Sequence, residues 1–161
     1  MGSNRITIDR ITDYLVPMRV LVQSGIYPAA FEDGVDLGLP DLINEFYLGA
    51  WVEDIGLIGF YKVQQMGKHL YQAHANIMPG YRRKYAISAS EAALQYVAEK
   101  IEGFETLIAM IPAPFEAVQK HVQAIGLKPI GTIPNGFKKQ GEFVDIDMFA
   151  ITKEEILCRQ Q

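Results

Sequence analysis

A single cysteine, Cys158, occurs among the 161 residues, which rules out an internal disulfide and a cysteine-rich zinc site. A reducing cytosol is the natural setting. No apolar run approaches the roughly 20 residues that cross a bilayer, and the opening Met1-Gly2-Ser3-Asn4-Arg5 lacks the apolar centre of a secretion signal. Gly2 stands where an N-myristoyl acceptor would, but Ile6 takes the place of the Ser or Thr that such a site needs. The expectation is a soluble, cytoplasmic protein with no membrane partner. The histidines His69, His74 and His121 form no His-x-x-x-His pair, so no metal site is expected. There is no Gly-x-x-x-x-Gly-Lys-Ser/Thr loop for a nucleoside triphosphate and no hydrolase elbow around a Ser or Cys. An acidic pI near 5.4 argues against wrapping nucleic acid, where many phosphates must be neutralised.

The most informative absence is local. From Ile55 to Ser90 there is no Asp or Glu, while Lys62, Lys68, Arg82, Arg83 and Lys84 are all present. That segment carries +5 in a chain of net charge −4. Such asymmetry favours a bound anion. Its densest part, Pro79-Gly80-Tyr81-Arg82-Arg83-Lys84-Tyr85-Ala86, lies between a strand-like run and a helical one. A loop that leaves a strand and opens a helix aims backbone N–H groups and the positive helix end at one spot, which suits phosphate. A solvated basic turn is the plainer alternative.

With 49% hydrophobic residues, the chain is long enough for one well-buried core, so residues 1–161 are read as one domain. Asp9 to Ser24 reads as a helix with Leu15, Met18 and Val22 on one stripe and a kink at Pro17. Tyr27 to Leu42 reads as irregular chain. Phe46 to Glu53 and Leu57 to Gln65 form a hairpin about Asp54-Ile55-Gly56, and Lys68 to Met78 supplies a third strand. A helix is expected from about Ala86 to Ile101, then a buried strand from Glu105 to Ile111, then a helix carrying Phe115, Val118, Val122 and Ile125. Pro129 to Phe137 and Phe143 to Ile151 are the last strand pair, and Thr152-Lys153-Glu154-Glu155 is a capping-box start for a terminal helix. The class is α+β.

This order, together with Asp54-Ile55-Gly56-Leu57-Ile58-Gly59-Phe60, Pro79-Gly80-Tyr81-Arg82 and Ile125-Gly126-Leu127-Lys128 followed by Gly131, resembles the GNAT superfamily of N-acetyltransferases over roughly residues 5 to 152. Within it, the chain looks most like the small acetyltransferase-like proteins of tailed phages, where a strand bearing a His precedes a Pro-x-Tyr-Arg loop. The resemblance implies a central mixed, mostly antiparallel sheet with helices on both faces. It also implies acetyl-CoA as cosubstrate, bound where the third long strand and the short central strand splay apart. The cofactor would lie along Met78, Arg82, Arg83, Lys84, Tyr85, Ala86, Ile87 and Ser88. The family loop reads Gln/Arg-x-x-Gly-x-Gly/Ala. Started at Arg82 it puts Tyr85 and Ile87 at the small positions; started at Arg83 it puts Ala86 and Ser88 there. Both registers stay open. Ser88-Ala89-Ser90-Glu91 reads alternatively as a capping box that starts the helix later.

Acyl transfer to an amine needs a base for the amine and a proton for the departing thiolate. Period-two alternation puts Gln72, His74 and Asn76 on one face of their strand. His74 is the leading base, since imidazole titrates near neutrality. Glu53 and Asp54 are alternatives. The acid that many family members carry as a Tyr aligns with Val122, and their Asn with Phe115. His121, next to Val122, and Tyr85, approaching from the loop, are the remaining candidates for that proton. Asp145 and Asp147 read as solvent-facing. Acceptors in this reading are a small amine or a protein amine. The competing reading is an inactive GNAT-like scaffold, such as a virion-assembly or host-interaction protein of a phage with a phage or host protein as partner.

Overall fold

The computed structural model describes residues 4–23 and 25–159. The chain runs β1 (Ile6–Arg10), α1 (Leu15–Leu21), β2 (Phe46–Val52), β3 (Gly56–Gln65), β4 (Leu70–Ile77), α2 (Pro79–Lys100), β5 (Thr106–Pro112), α3 (Glu116–Ala124), β6 (Lys128–Lys139), β7 (Glu142–Thr152) and α4 (Lys153–Cys158). All strands join one seven-stranded sheet in the order β1-β2-β3-β4-β5-β7-β6. Neighbours are antiparallel except β4 and β5, which are parallel.

Two apolar layers cover the sheet. On one face α2, α3 and α4 pack over Ile8, Leu48, Val63, Tyr71, Leu107, Phe149 and Ile151, with Phe104 sealed beside them. On the other, α1 and the chain that follows it cover Tyr47 and Phe60 through Val20, Leu21 and Ile26. The face turned inward by α2 is built from Tyr85, Ala89, Ala93 and Val97, each four residues from the last and so in one row. Three small or slim side chains in that row let the helix lie close to the strands. Each large buried aliphatic or aromatic group here removes enough apolar area from water to stabilise the fold by roughly 1.5–3 kcal/mol.

Three boundaries differ from expectation. The segment Ile6-Thr7-Ile8-Asp9-Arg10 is a strand paired with β2 from Ile6↔Val52 to Arg10↔Leu48, so the expected helix from Asp9 shrinks to Leu15–Leu21; Ser24, its expected end, lies outside the described residues. Pro17 is then the third residue of α1, in the first turn, where N–H groups have no helical acceptor and a missing one breaks no bond. The expected start of α2 at Ala86 moves back to Pro79. Proline is favoured in the first helical turn because its fixed φ suits the helix and its lost N–H was unpaired. Ser88 to Glu91 is therefore helix interior, not a capping box. The capping box at Thr152 forms as expected, with Thr152 and Glu155 exchanging side-chain and backbone bonds.

Candidate functional site

The site is created by a failure of pairing. β4 and β5 pair only at Leu70↔Thr106, Tyr71↔Leu107 and Gln72↔Ile108. Beyond Gln72 the edge of β4 from Ala73 to Ile77 has no strand opposite it among the described residues. Each unpaired strand residue leaves a backbone donor or acceptor in need of a partner. This freed edge is flanked by the helices that follow the two diverging strands, α2 after β4 and α3 after β5.

β4 is open to both faces at this level. His74 and Ala75 point to opposite sides of the sheet, and both are exposed. Their cross-strand partners identify the sides. Ala75 pairs with Tyr61, whose side chain belongs to the layer under α2, and His74 pairs with Lys62 on the α1 side. The gap between β4 and β5 is thus a slot that passes through the sheet, with His74 at one mouth and Ala75 at the other.

Around His74, Gln72 Nε2 lies 3.2 Å from the imidazole Nε2, and Lys62 is bound to Glu45 at 3.0 Å. Protein crowds the ring on most sides while solvent still reaches it. Desolvation pushes its pKa below the ordinary imidazole value; the Lys62 ammonium pushes the same way and Glu45 opposes both. The group is therefore neutral at neutral pH, with its Nε2 lone pair accepting from the Gln72 amide.

The mouth on the α1 side is bounded by the segment between α1 and β2. One end is tied beside β4, where Arg82 Nη2 donates to the carbonyl of Gly25 at 3.1 Å. The middle is tied to the β6–β7 turn. There the Asp33 amide donates to the Lys138 carbonyl at 2.9 Å, and the amides of Lys138 and Gly141 donate to Glu32 and Asp33 at 3.0 Å and 2.8 Å. Lys139 Nζ reaches the carbonyls of Pro28 and Phe31. The two anchor points lie on opposite sides of the slot, so the segment crosses its end as a strap.

The cofactor loop expected at Arg82 to Ser88 is helix throughout. Met78 is the N-cap, and the Tyr81 N–H is taken by the Met78 carbonyl at 2.9 Å. Pro79 has no N–H, so Gly80 offers the amide of this end that has no partner among the described residues. Arg82 Nε donates to the Ile77 carbonyl at 2.8 Å, which, with its bond to Gly25, commits the guanidinium to the fold. Arg83 and Lys84 are exposed, as are Ile87 and Ser88, while Ala86 is half-buried. Ser88 Oγ donates to the Tyr85 carbonyl.

Tyr85 is buried on the sheet side of α2, and its hydroxyl accepts from Asn4 Nδ2 at 3.4 Å, beside the edge strand β1. It does not approach from a loop as expected, because there is no loop. Glu53 and Asp54 sit in the β2–β3 turn. Glu53 borders a shallow cavity of about 440 Å³ with Arg5, Thr7 and Trp51, separated from the slot by β3 and β4. Asp145 and Asp147 are not simply solvent-facing. Asp147 accepts from Gln119 and Thr132 at 2.9 Å and 2.8 Å, joining α3 to β6 and β7, and Asp145 accepts from the Asn135 amide at 2.9 Å.

Sequence reasoning passed over Tyr61 and Ser90. The Tyr61 hydroxyl and Ser90 Oγ lie 2.9 Å apart, and Ser90 Oγ lies 2.9 Å from His121 Nε2. The available signal was a serine on the apolar stripe of α2, a polar group that must find a buried partner.

Solved structures with this architecture include proteins named as acetyltransferases. A mutant of spermidine N-acetyltransferase SpeG from Vibrio cholerae matches at TM-score 0.79, with 12% identity over 97% of this chain and 98% of that one. A GNAT-family acetyltransferase from Bacillus anthracis matches at TM-score 0.60, with 21% identity over 68% and 67%. In sequence, protein p31 of Acyrthosiphon pisum secondary endosymbiont phage 1 is 25% identical over 114 residues, 71% of this chain and 72% of its own length. The sheet order, the parallel β4–β5 pair and these likenesses establish the GNAT fold. Residues 31–160 match the family described as protein of unknown function DUF2824, and the chain belongs to that family.

Proposed function

We propose that the protein is an acyl-CoA-dependent N-acetyltransferase that moves an acetyl group directly from acetyl-CoA to an amine. The observation that carries this reading is the slot: a free β4 edge from Ala73 to Ile77, open to both faces, with a neutral-leaning imidazole at one mouth. In this reading the thioester lies along the freed edge, whose unpaired amides polarise its carbonyl. His74 takes the proton that the attacking amine must lose. The strap from Gly25 to Glu45 bounds the acceptor, a small amine or a protein amine. Pantetheine leaves through the opposite mouth past Ala75. Gly80 N–H, Arg83 and Lys84 supply the positive field for the pyrophosphate. Acetyl-CoA supplies the activated acyl group, and no nucleophilic side chain is needed for direct attack.

The test is binding. Ligand at about 100 times its dissociation constant stabilises the native state by ~2.7 kcal/mol, a rise of roughly 5–10 °C in melting temperature for a chain of this size. No calorimetric heat and no thermal shift at millimolar acetyl-CoA would sink the reading. One observation favours a second reading, a GNAT-like scaffold without catalysis in a phage particle or against a host protein. Arg82 is spent on Ile77 and Gly25, and the helix start offers phosphate few amides. That reading expects the null result, and a clear acetyl-CoA signal removes it.

A further inference from the structure

The mouth of the slot opposite His74 holds an unbroken chain of polar side chains. Tyr61 on β3, Ser90 on α2 and His121 on α3 are linked by two contacts of 2.9 Å. Tyr61 pairs across the strands with Ala75, so the chain stands over the stretch of β4 that has lost β5. The Ser90 to His121 bond joins the two flanking helices across the gap. Small side chains at Ala73 and Ala75 leave space below, and Ala75 is exposed although it lies on the face that the helices cover.

Counting donors sets the direction of the chain. If Tyr61 donates to Ser90 and Ser90 donates to Nε2, every hydroxyl hydrogen is used. The reverse direction leaves the Tyr61 hydrogen without an acceptor in a buried place, which the fold avoids. Nε2 is then the acceptor and the ring proton sits on Nδ1. That atom makes no hydrogen bond to the described residues. Burial of His121 disfavours the imidazolium, consistent with a neutral ring of fixed tautomer.

We propose that His121, held as the Nδ1–H tautomer by Ser90 and Tyr61, donates a hydrogen bond to the sulfur that departs during acyl transfer. The inference rests on the acyl-CoA reading above. In the step, the amine nitrogen bonds to the thioester carbon and the carbon–sulfur bond breaks. The electron pair stays on sulfur, and the proton lost by the amine passes through His74 to solvent. The thiolate is stabilised by the Nδ1–H while it forms and takes a proton from water on release, so His121 ends as it began. Ser90 and Tyr61 are positioning residues; they act through the ring.

Nitrogen-15 NMR of the imidazoles in the wild-type protein reads the tautomer directly. The expected result is Nδ1–H for His121, lost in Ser90→Ala; an Nε2–H ring in the wild type overturns the proposal. Steady-state kinetics with acetyl-CoA supply the second readout. His121→Ala should lower kcat by about 10- to 100-fold, the worth of one hydrogen bond to a charged group, with the acetyl-CoA dissociation constant unchanged within about twofold and the rate partly restored by added imidazole. Tyr61→Phe, which removes only the last hydroxyl, should show a smaller loss in the same direction and guards against misfolding of the other variants. Unchanged kcat in His121→Ala with acetyl-CoA still bound overturns the role of His121 alone. Failure of the wild-type protein to bind acetyl-CoA overturns both this inference and the reading beneath it.

Discussion

Replacing Arg82 by Met separates a structural cation from a ligand-binding one. The guanidinium makes two bonds to backbone oxygens, to Ile77 at 2.8 Å and to Gly25 at 3.1 Å. Hydrogen bonds with a charged partner contribute about 1.5–3 kcal/mol where water is excluded and less where it is not. The Ile77 bond is half-buried and the Gly25 bond is exposed, so the sum expected for loss of both is about 2 kcal/mol. For a chain of this length that is a fall of roughly 4–8 °C in melting temperature without any ligand. Arg83 is exposed, and no bond or ion pair to it is recorded among the described residues. Arg83→Met should leave stability within about 0.5 kcal/mol and weaken acetyl-CoA instead. Scanning calorimetry of both variants, free and with acetyl-CoA, gives the answer in one experiment. An Arg82→Met protein as stable as the wild type, or an Arg83→Met protein that loses several degrees, would refute the assignment of the two side chains.

His74→Ala should spare acetyl-CoA binding and lower kcat by about 10²–10⁴-fold, the usual worth of a general base. Because desolvation and Lys62 hold its pKa below the ordinary imidazole value of 6.5, the acidic limb of kcat/KM should fall below pH 6.5, and Lys62→Met should move that limb upward. Asp33 is held below its ordinary value of 3.8 chiefly by the Gly141 amide, with Lys139 and Lys138 assisting against desolvation. Its contribution to anchoring the strap is present above that ordinary value and is lost as the pH falls through the lower folded one. The protection factor of the Gly141 amide, its exchange corrected for the intrinsic pH dependence, should therefore be unchanged from pH 7 to pH 5, and Asp33→Asn should lower it across that range. Gly126 has φ +104°, and an added Cβ would strike the Arg159 guanidinium. Gly126→Ala should cost about 1–3 kcal/mol in urea denaturation, and Arg159→Ala should relieve the clash without relieving the backbone strain.

Much of the fold was legible because its signals are local. The turn at Asp54-Ile55-Gly56 specified the β2–β3 hairpin, alternation placed His74 opposite Ala75, and the Thr152 capping box started α4 where the sequence put it. β1 was hidden by its brevity: Ile6 and Ile8 alternate correctly, but the helix-like spacing that follows absorbed Asp9 and Arg10. Pro79-Gly80 suits a loop in sequence, but proline in the first turn is equally a helix start. The slot itself has no local signature. It depends on β4 and β5, separated by the whole of α2, ceasing to pair after Gln72. The Tyr61–Ser90–His121 chain likewise joins residues 29 and 31 positions apart. Arg82 was legible as a cation but not as one already occupied, because its second acceptor, Gly25, lies 57 positions away.

The central claim is that an acyl-CoA lies in the slot between β4 and β5. Amide chemical-shift mapping of the wild-type protein titrated with acetyl-CoA tests it most directly. The account predicts saturable shifts concentrated at Ala73 to Ile77 on the free edge and at Gly80, with smaller ones at Ser90 and His121. An absence of shifts at millimolar ligand, or shifts confined to the β2–β3 turn around Glu53, would contradict it.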